Sequence, residues 1–402
     1  MPAPFDTIEA ALEEIHAGRM VIVVDDRSRE DEGDLVMAAE KATPEAINFI
    51  TRFGRGLVCI ALAGPRLDAL RLPLMVPENT SRHGTAFTVS VEVNDGTTTG
   101  ISVHDRAATI RALTDPARTA DSFLRPGHVF PLRARDGGVL RRPGHTEAAL
   151  DLARLAGLQP AGVLCEILDR DGSAAKVPSL VRFSRRHRLK LISIADLVAY
   201  RLRHDRVVYR RTSARLPTRY GEFTLLAYTS DLDDETHLAL LKGSWRADTP
   251  VLTRIHSECL TGEVLGSLRC DCGDQLTTAL ARVAEDGRGV IIYVRQEGRG
   301  IGLLNKIKAY SLQDEGKDTV EANELLGFPP DAREYSVAAQ MLSDLCVRKV
   351  RLLTNNPSKP SALEDFGIEV VERVPLEVRP QSENIRYLQT KREKLGHLLT
   401  LE

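Results

Sequence analysis

Two clusters of residues in this chain have the types and spacing to do chemistry, and they lie far apart. In the first, Asp25-Asp26-Arg27-Ser28-Arg29-Glu30-Asp31-Glu32-Gly33-Asp34 packs six carboxylates into ten residues. Like charges at that density repel and call for a counter-ion, and hard oxygen ligands suit magnesium or manganese. A solvated acidic turn is the plainer alternative. Arg141-Arg142-Pro143-Gly144-His145-Thr146-Glu147 reads as a loop running into a helix, where backbone N–H groups and the helix dipole favour a phosphate. Two arginines add charge there, Gly144 lets the backbone come close, and His145 offers an imidazole. Cys165-Glu166 sets a further carboxylate at a strand end. Carboxylate, imidazole and arginine together suit enediol chemistry on a sugar phosphate, with a metal to polarise the carbonyl and a carboxylate or histidine to move protons.

The second cluster is Cys259-x10-Cys270-x-Cys272, three thiolates at a spacing that can wrap one ion. Soft sulfur ligands select zinc over magnesium. A structural site would want a fourth protein ligand, with His256 and Cys346 as candidates. Without one, the open position holds water whose pKa zinc lowers to about 7, which points to hydrolysis. Three loops accompany the cysteines: Arg254-Ile255-His256-Ser257-Glu258, Arg295-Gln296-Glu297-Gly298-Arg299-Gly300-Ile301-Gly302 and Thr354-Asn355-Asn356-Pro357-Ser358-Lys359. Each closes a strand with a cation or a glycine, and singly each is more often just a turn. The glycine-rich loop lacks the order of a dinucleotide-binding turn.

The elements that must hold these clusters mix strands and helices without strict alternation, so the fold class is α+β, in two unlike domains. Asp6 to Glu9 has capping-box spacing ahead of a helix ending at Gly18. Met20 to Val24 is a buried strand that empties into the acidic loop, and Thr43-Pro44-Glu45 opens a helix. Leu57 to Leu62 and Gly162 to Leu168 are strands, with a helix from His145 to Ala156. Arginines 201, 203, 206, 210, 211, 215 and 219 crowd one stretch with Pro217 among them, and a solvated connector is expected there rather than a nucleic-acid patch. Beyond it, Phe223 to Tyr228, Val251 to Ile255, Val290 to Val294 and Val350 to Leu353 read as strands, and Asp274 to Glu285 as a helix.

The chain has 402 residues, 43% of them hydrophobic and 27% charged, which is comfortable for two domains. The boundary is expected at 204/205. A formal charge of −2 argues against a dedicated nucleic-acid binder. No apolar run reaches the roughly 20 residues of a membrane span, and Met1 to Glu14 lacks the apolar stretch of a signal peptide. A cytoplasmic enzyme is expected, with no membrane and no nucleic acid as partner. Six cysteines are too few for a disulfide framework. Cys59, Cys165 and Cys346 read as small buried hydrophobes.

In the N-terminal half, the acidic loop, Thr85-Ala86-Phe87-Thr88-Val89-Ser90-Val91, Thr98-Thr99-Gly100-Ile101-Ser102, Asp105-Arg106-Ala107, Arg142 to Ala148 and Ala161 to Glu166 together resemble 3,4-dihydroxy-2-butanone 4-phosphate synthase. The resemblance implies conversion of ribulose 5-phosphate to a four-carbon ketone phosphate and formate with magnesium or manganese. It implies Glu30 and His145 as metal ligands, and Arg29, Glu30, Asp34, Arg142, Pro143, Gly144, His145, Thr146 and Glu166 as substrate contacts. His128 and Glu166 stand at catalytic positions. Arg27, Ser28 and Asp31 depart from the family loop, where two of these places usually hold further carboxylates. One alternative therefore leaves only the C-terminal half active, the N-terminal half being structural or regulatory.

In the C-terminal half, Arg254 to Gly262, Ser267 to Gly273, Arg295 to Leu303, Asp318 to Asn323 and Thr354 to Lys359 resemble GTP cyclohydrolase II. That family opens the imidazole ring of GTP at zinc and releases formate and pyrophosphate. The resemblance implies Cys259, Cys270 and Cys272 as zinc ligands. It implies Arg254, Ile255, His256, Ser257, Glu258, Gln275, Glu297, Gly298, Arg299, Thr319, Thr354 and Lys359 as GTP contacts. Asp331 matches a proton acceptor and Arg333 a proposed nucleophile at the α-phosphate, with Tyr310 nearby. Arginine stays protonated at working pH, so phosphate stabilisation is the firmer role; Asp331 could instead merely cap the helix through Leu345. Ser336 and Ala338 replace family glycines, harmful if backbone must approach the ligand there and harmless in plain helix. Charge also favours magnesium on the GTP triphosphate. Fusion of the two families resembles the bifunctional enzyme that begins riboflavin synthesis, and both families imply a homodimer. The rival from another class is a zinc-stabilised nucleotide-binding module without catalysis.

Overall fold

The computed structural model describes residues 5–26, 29–246, 248–331 and 333–400, so Arg27 and Ser28 lie outside the described residues. The chain divides into two compact units, Met1–His204 and Asp205–Glu402.

The first unit is built on seven strands: β1 (Val21–Val24), β2 (Gly33–Ala38), β3 (Cys59–Leu62), β4 (Val91–Val93), β5 (Phe123–Arg133), β6 (Ala161–Glu166) and β7 (Lys190–Ser193). Their order in the sheet is β4-β5-β3-β6-β2-β1-β7. Every residue of β1 and β2 is buried, as expected of strands covered on both faces. Alternate side chains divide accordingly. Ile22, Val24, Leu35 and Met37 join a core with Ile110 and Leu113 of the helix Val103–Thr114. Val21, Val23 and Val36 join the opposite core with Ala148 and Leu152 of the helix His145–Leu155. Mixed pairing, antiparallel for β1/β2 and β2/β6 but parallel for β1/β7 and β3/β5, makes the fold α+β. At the first helix, Ile8–His16, Thr7 rather than Asp6 is the cap. Asp6 instead accepts from Leu191 N (2.9 Å) and pairs with Lys190 (2.9 Å), tying the chain start to β7.

The second unit has β8 (Val208–Thr218), β9 (Gly221–Ser230), β10 (Thr236–Lys242), β11 (Pro250–Ser257), β12 (Gly289–Val294), β13 (Lys349–Leu353) and β14 (Glu369–Val374), ordered β14-β13-β11-β12-β10-β9-β8. The β8–β9–β10 part is an antiparallel meander. From β11 onward the strands run parallel, with helices in the crossovers. The arginine-rich stretch is therefore not a connector. It is the end of the helix Ile194–His204 followed by the mostly exposed edge strand β8. Pro217 and repeated arginines belong on an edge, where a missing donor and crowded charge discourage pairing with another chain. Cys59 and Cys165 are buried, but Cys346 is exposed, on a left-handed residue (φ 56°) just past a helix end. It is not the small core residue its neighbours in sequence suggested.

Candidate active sites

The first pocket forms where β1 ends, β2 begins and β6 ends. The antiparallel register sets Asp34 directly opposite Glu166. Like charges facing across strands destabilise a sheet, so this pairing concentrates negative potential at the pocket. The loop joining β1 to β2 is drawn together by Asp25, whose carboxylate accepts from Glu30 N (3.2 Å), Glu32 N (3.0 Å) and the Arg29 guanidinium (2.8 Å). Lys176 holds the loop from outside through the carbonyls of Glu30 and Asp31 (3.2 and 2.9 Å).

Into the same space points the start of the helix His145–Leu155, with Gly144 as its N-cap. A Cβ on Gly144 would come within 2.4 Å of Arg142 Nη1, so a larger residue there would push the guanidinium aside. Arg142 is fixed by the buried Glu147 (2.6 Å) and the carbonyl of His83 (3.0 Å). The pocket walls are Arg29, Glu30, Glu32, Asp34, Arg142, His145, Thr146 and Glu166, with Leu57, Cys59, Thr85, Phe87, Leu132 and Leu164 filling the rest.

Asp25, Glu30 and His145 bring one ligand atom each within 4.8 Å of the others. Among the described residues, His145 Nε2 and Asp34 Oδ1 are buried with no hydrogen-bond partner. Two orphaned atoms beside a carboxylate–imidazole group fit a hard divalent cation. Electrostatics agree. The facing imidazole of His145, opposed by burial and helped by Arg29, holds Glu30 down at about 2. Burial, with Glu166 and Glu30 close by, pushes Asp34 up to about 7. Burial alone would lower His145, yet Asp34, Glu30 and Asp25 carry it to about 9. His128 stands apart from this pocket: it lies on β5, exposed, with Nδ1 2.9 Å from Glu92 Oε2. Pro143 is the one residue of the Arg142–Thr146 turn without a group in the wall besides Gly144. Reading the sequence missed Asp25 as a member of the ligand group, although it stands in the acidic loop.

The second pocket follows from parallel pairing. Because β11 lies between β12 and β13 and runs parallel to both, the loops after all three strands leave from one edge, where open sheets of this type bind ligands. Arg254 and His256 project from β11, and Ser257 and Glu258 lead directly to Cys259. Arg254 spans from Leu353 O (2.9 Å) to Gln275 Oε1 (2.6 Å). Gln275 in turn holds Asp271 (2.5 Å), which also pairs with the buried Lys391 (2.7 Å). Asp271 sits between two cysteines, so this chain of bonds braces them. After β12, Gly298 and Arg299 both take left-handed backbone (φ 64° and 62°), which turns the loop back over the pocket; an arginine there is strained. After β13, Lys359 is buried and donates to Ile255 O (2.8 Å). Thr319 opens a helix that Asp318 and Glu321 close with a reciprocal capping box.

Cys259, Cys270 and Cys272 bring their sulfurs within 4.8 Å of one another, and neither His256 nor Cys346 joins them. His256 Nε2 is bound instead to Glu263 (2.8 Å). A Cβ on Gly262 would lie 2.8 Å from Cys270 Sγ and 3.2 Å from Cys259 Sγ, so the glycine keeps the sulfurs' surroundings open. Hydrogen bonds from Cys270 and Cys272, together with the Lys306 ammonium, pull the Cys259 thiol far below its ordinary value. A preformed thiolate with two sulfurs beside it fits a soft dication. The cleft, about 1120 Å³ with its open mouth, is lined by seven basic side chains: Arg254, Arg269, Arg299, Lys306, Arg333, Lys391 and Lys359, the last pushed well below its ordinary value by burial and by the neighbouring Arg254 and Arg333. Tyr310 lines it too and shares a hydrogen bond with Thr261 (3.1 Å). Asp331 does not cap the following helix, Ser336–Asp344, which starts after Tyr335. It pairs through both oxygens with Arg333. Ile255 points its carbonyl to Lys359 and is itself core. Lys306, Lys391, Tyr387 and His397 also line the cleft and were missed in the sequence: Lys306 lies three residues past the glycine-rich motif, and the other three come from a helix and a tail remote from any motif.

The family model for 3,4-dihydroxy-2-butanone 4-phosphate synthase matches residues 9–200, and that for GTP cyclohydrolase II matches residues 209–375. Riboflavin biosynthesis protein RibBA of Chlorobium phaeovibrioides is 57% identical over 98% of this chain and 97% of its own length. The chain belongs to the RibBA family. RibBA of Aquifex aeolicus is likewise 57% identical, over 98% of both chains. The solved structure of RibBX from A. baumannii, described as a two-domain 3,4-dihydroxy-2-butanone 4-phosphate synthase, superposes with a TM-score of 0.70 at 35% identity, over 93% of this chain and all of that one. As a RibBA-family protein, the chain is a bifunctional riboflavin biosynthesis enzyme, a lyase and a hydrolase in one polypeptide. The reading that only its C-terminal half is active finds no support in these likenesses. Among the described residues, no helix is long and apolar enough to cross a membrane.

Proposed function

We propose that residues 1–204 form the synthase domain, turning ribulose 5-phosphate into 3,4-dihydroxy-2-butanone 4-phosphate and formate. Residues 205–402 then form the cyclohydrolase domain, turning GTP into the diaminopyrimidine ribosylamino phosphate, formate and pyrophosphate. One observation carries the reading: each unit surrounds its own metal-type donor set with cations matched to its anion. Arg142 and a helix start suit one phosphate, and seven basic side chains suit three.

In the first pocket Glu30 and His145 hold magnesium or manganese, with Asp25 in reach. When bound, the ion polarises the sugar carbonyl. The turn Arg142-Pro143-Gly144-His145-Thr146 grips the phosphate, Arg29 and Asp34 contact the sugar, and Glu166 moves protons. His128 joins them on the family resemblance. In the second pocket Cys259, Cys270 and Cys272 hold zinc, which when bound supplies a water of pKa about 7. Arg254, His256, Ser257, Glu258, Gln275, Glu297, Gly298, Arg299, Thr319, Thr354 and Lys359 surround GTP, whose triphosphate also carries magnesium. Asp331 accepts a proton, Tyr310 assists, and Arg333, held in its fork by Asp331, stabilises the α-phosphate. The enzyme works as a cytoplasmic homodimer on small molecules.

Formate release tests the proposal. It is expected from ribulose 5-phosphate with magnesium and from GTP with zinc, the first abolished by His145→Ala and the second by Cys270→Ala. Formate from GTP alone would overturn the bifunctional assignment of residues.

A further inference from the structure

Lys306 has so far stood only as one basic residue of the cleft wall, yet its ammonium sits between two constrained anionic groups of the second pocket. Nζ is 3.1 Å from Cys259 Sγ and 2.8 Å from Glu297 Oε1. The other oxygen of Glu297 accepts from Leu260 N at 2.7 Å, and Leu260 follows Cys259 in the chain. A closed ring of bonds therefore runs from the sulfur through the ammonium and the carboxylate back to the residue beside the sulfur. The lysine side chain is 11% exposed, and such a cation is rarely buried without a partner that requires it. An aliphatic side chain would fill the space, and a pairing with Glu297 alone would not need the sulfur.

The charge balance gives the requirement. Three thiolates around a dication leave one surplus negative charge in a place largely removed from water, and the ammonium is the cation in contact with a sulfur. We propose that Lys306 is a positioning residue of the metal centre: its N–H···S bond draws charge from the Cys259 thiolate, offsets the surplus of the three-thiolate site and ties that site to the Glu297 loop facing GTP. Outer partners of this kind tune both metal affinity and ligand donation. The inference rests on the zinc reading of this pocket.

The test uses the full chain, freed of metal and reloaded with cobalt(II), as wild type, Lys306→Met and Lys306→Arg. Circular dichroism reports folding, and Lys306→Gln replaces the methionine variant should that one not fold. The neutral variant is expected to shift the cobalt–thiolate charge-transfer band to longer wavelength and to weaken zinc binding about ten- to hundredfold, while Lys306→Arg keeps both near wild type. A purely structural lysine would move the melting temperature but not the band. An unchanged band and affinity in the neutral variant would sink this inference alone. Absence of any cobalt–thiolate band in the wild type would remove the zinc reading, and this inference with it.

Discussion

Burial raises Glu32 and Cys59 in the first pocket, and three further groups, His145, Asp34 and Glu30, also titrate away from their ordinary values and shape how it responds to pH. His145 is raised from 6.5 to about 9, so the stability its charge brings is full below 6.5 and fades as pH climbs through 9. Asp34 is raised from 3.8 to about 7, so its ionisation costs stability over that window. Glu30, lowered from 4.5 to about 2, contributes above 4.5 and is lost only in strong acid. The metal-free pocket thus becomes more negative and less stable on going from mildly acid to alkaline solution, and a divalent cation relieves that. Thermal unfolding is expected to show a larger gain from magnesium near pH 8 than near pH 6. Equal gains would mean the cation binds elsewhere. Gly144→Ala belongs to the same scale. Its Cβ would meet Arg142 Nη1 at 2.4 Å, so steady-state kinetics are expected to show a KM for the sugar phosphate raised about tenfold or more, the order of a lost charged hydrogen bond.

Among the elements, the helix Ser336–Asp344 resolves a question the sequence left open. Ser336 and Ala338, which the family resemblance sets against glycines, are buried in regular helix, not in a turn. Alanine there is the better helix former, so Ala338→Gly is expected to cost about 1 kcal/mol in urea unfolding, with GTP turnover unchanged within twofold. A gain in turnover would show that the backbone at this position serves the ligand after all. The edge strand β8 makes a second point. Its arginines were legible as charge, but what they are for depends on β9 lying along one side of the strand and nothing along the other in the sheet order. Arg211→Val with Arg215→Val is expected to promote self-association, read by light scattering at constant melting temperature.

Across the whole molecule, each pocket is lined by residues of one unit alone. Variants that destroy one activity are therefore expected to leave the other within about twofold, as independent sites do; a Cys270→Ala chain that lost formate release from ribulose 5-phosphate would show that the sites are coupled. The sequence by itself determined the two families, the α+β class, the acidic loop, the three cysteines and most cationic loops. Those are runs of adjacent residues whose chemistry survives being read in a line. Tertiary structure alone decided that Asp34 faces Glu166, that Asp25 joins Glu30 and His145, and that Lys306 reaches a sulfur 47 positions away in the chain. It also decided that Cys346 is exposed and that Asp331 serves Arg333 instead of a helix end. Strand register and helix packing bring distant residues within a few ångströms, and neither is written in the spacing of any single motif.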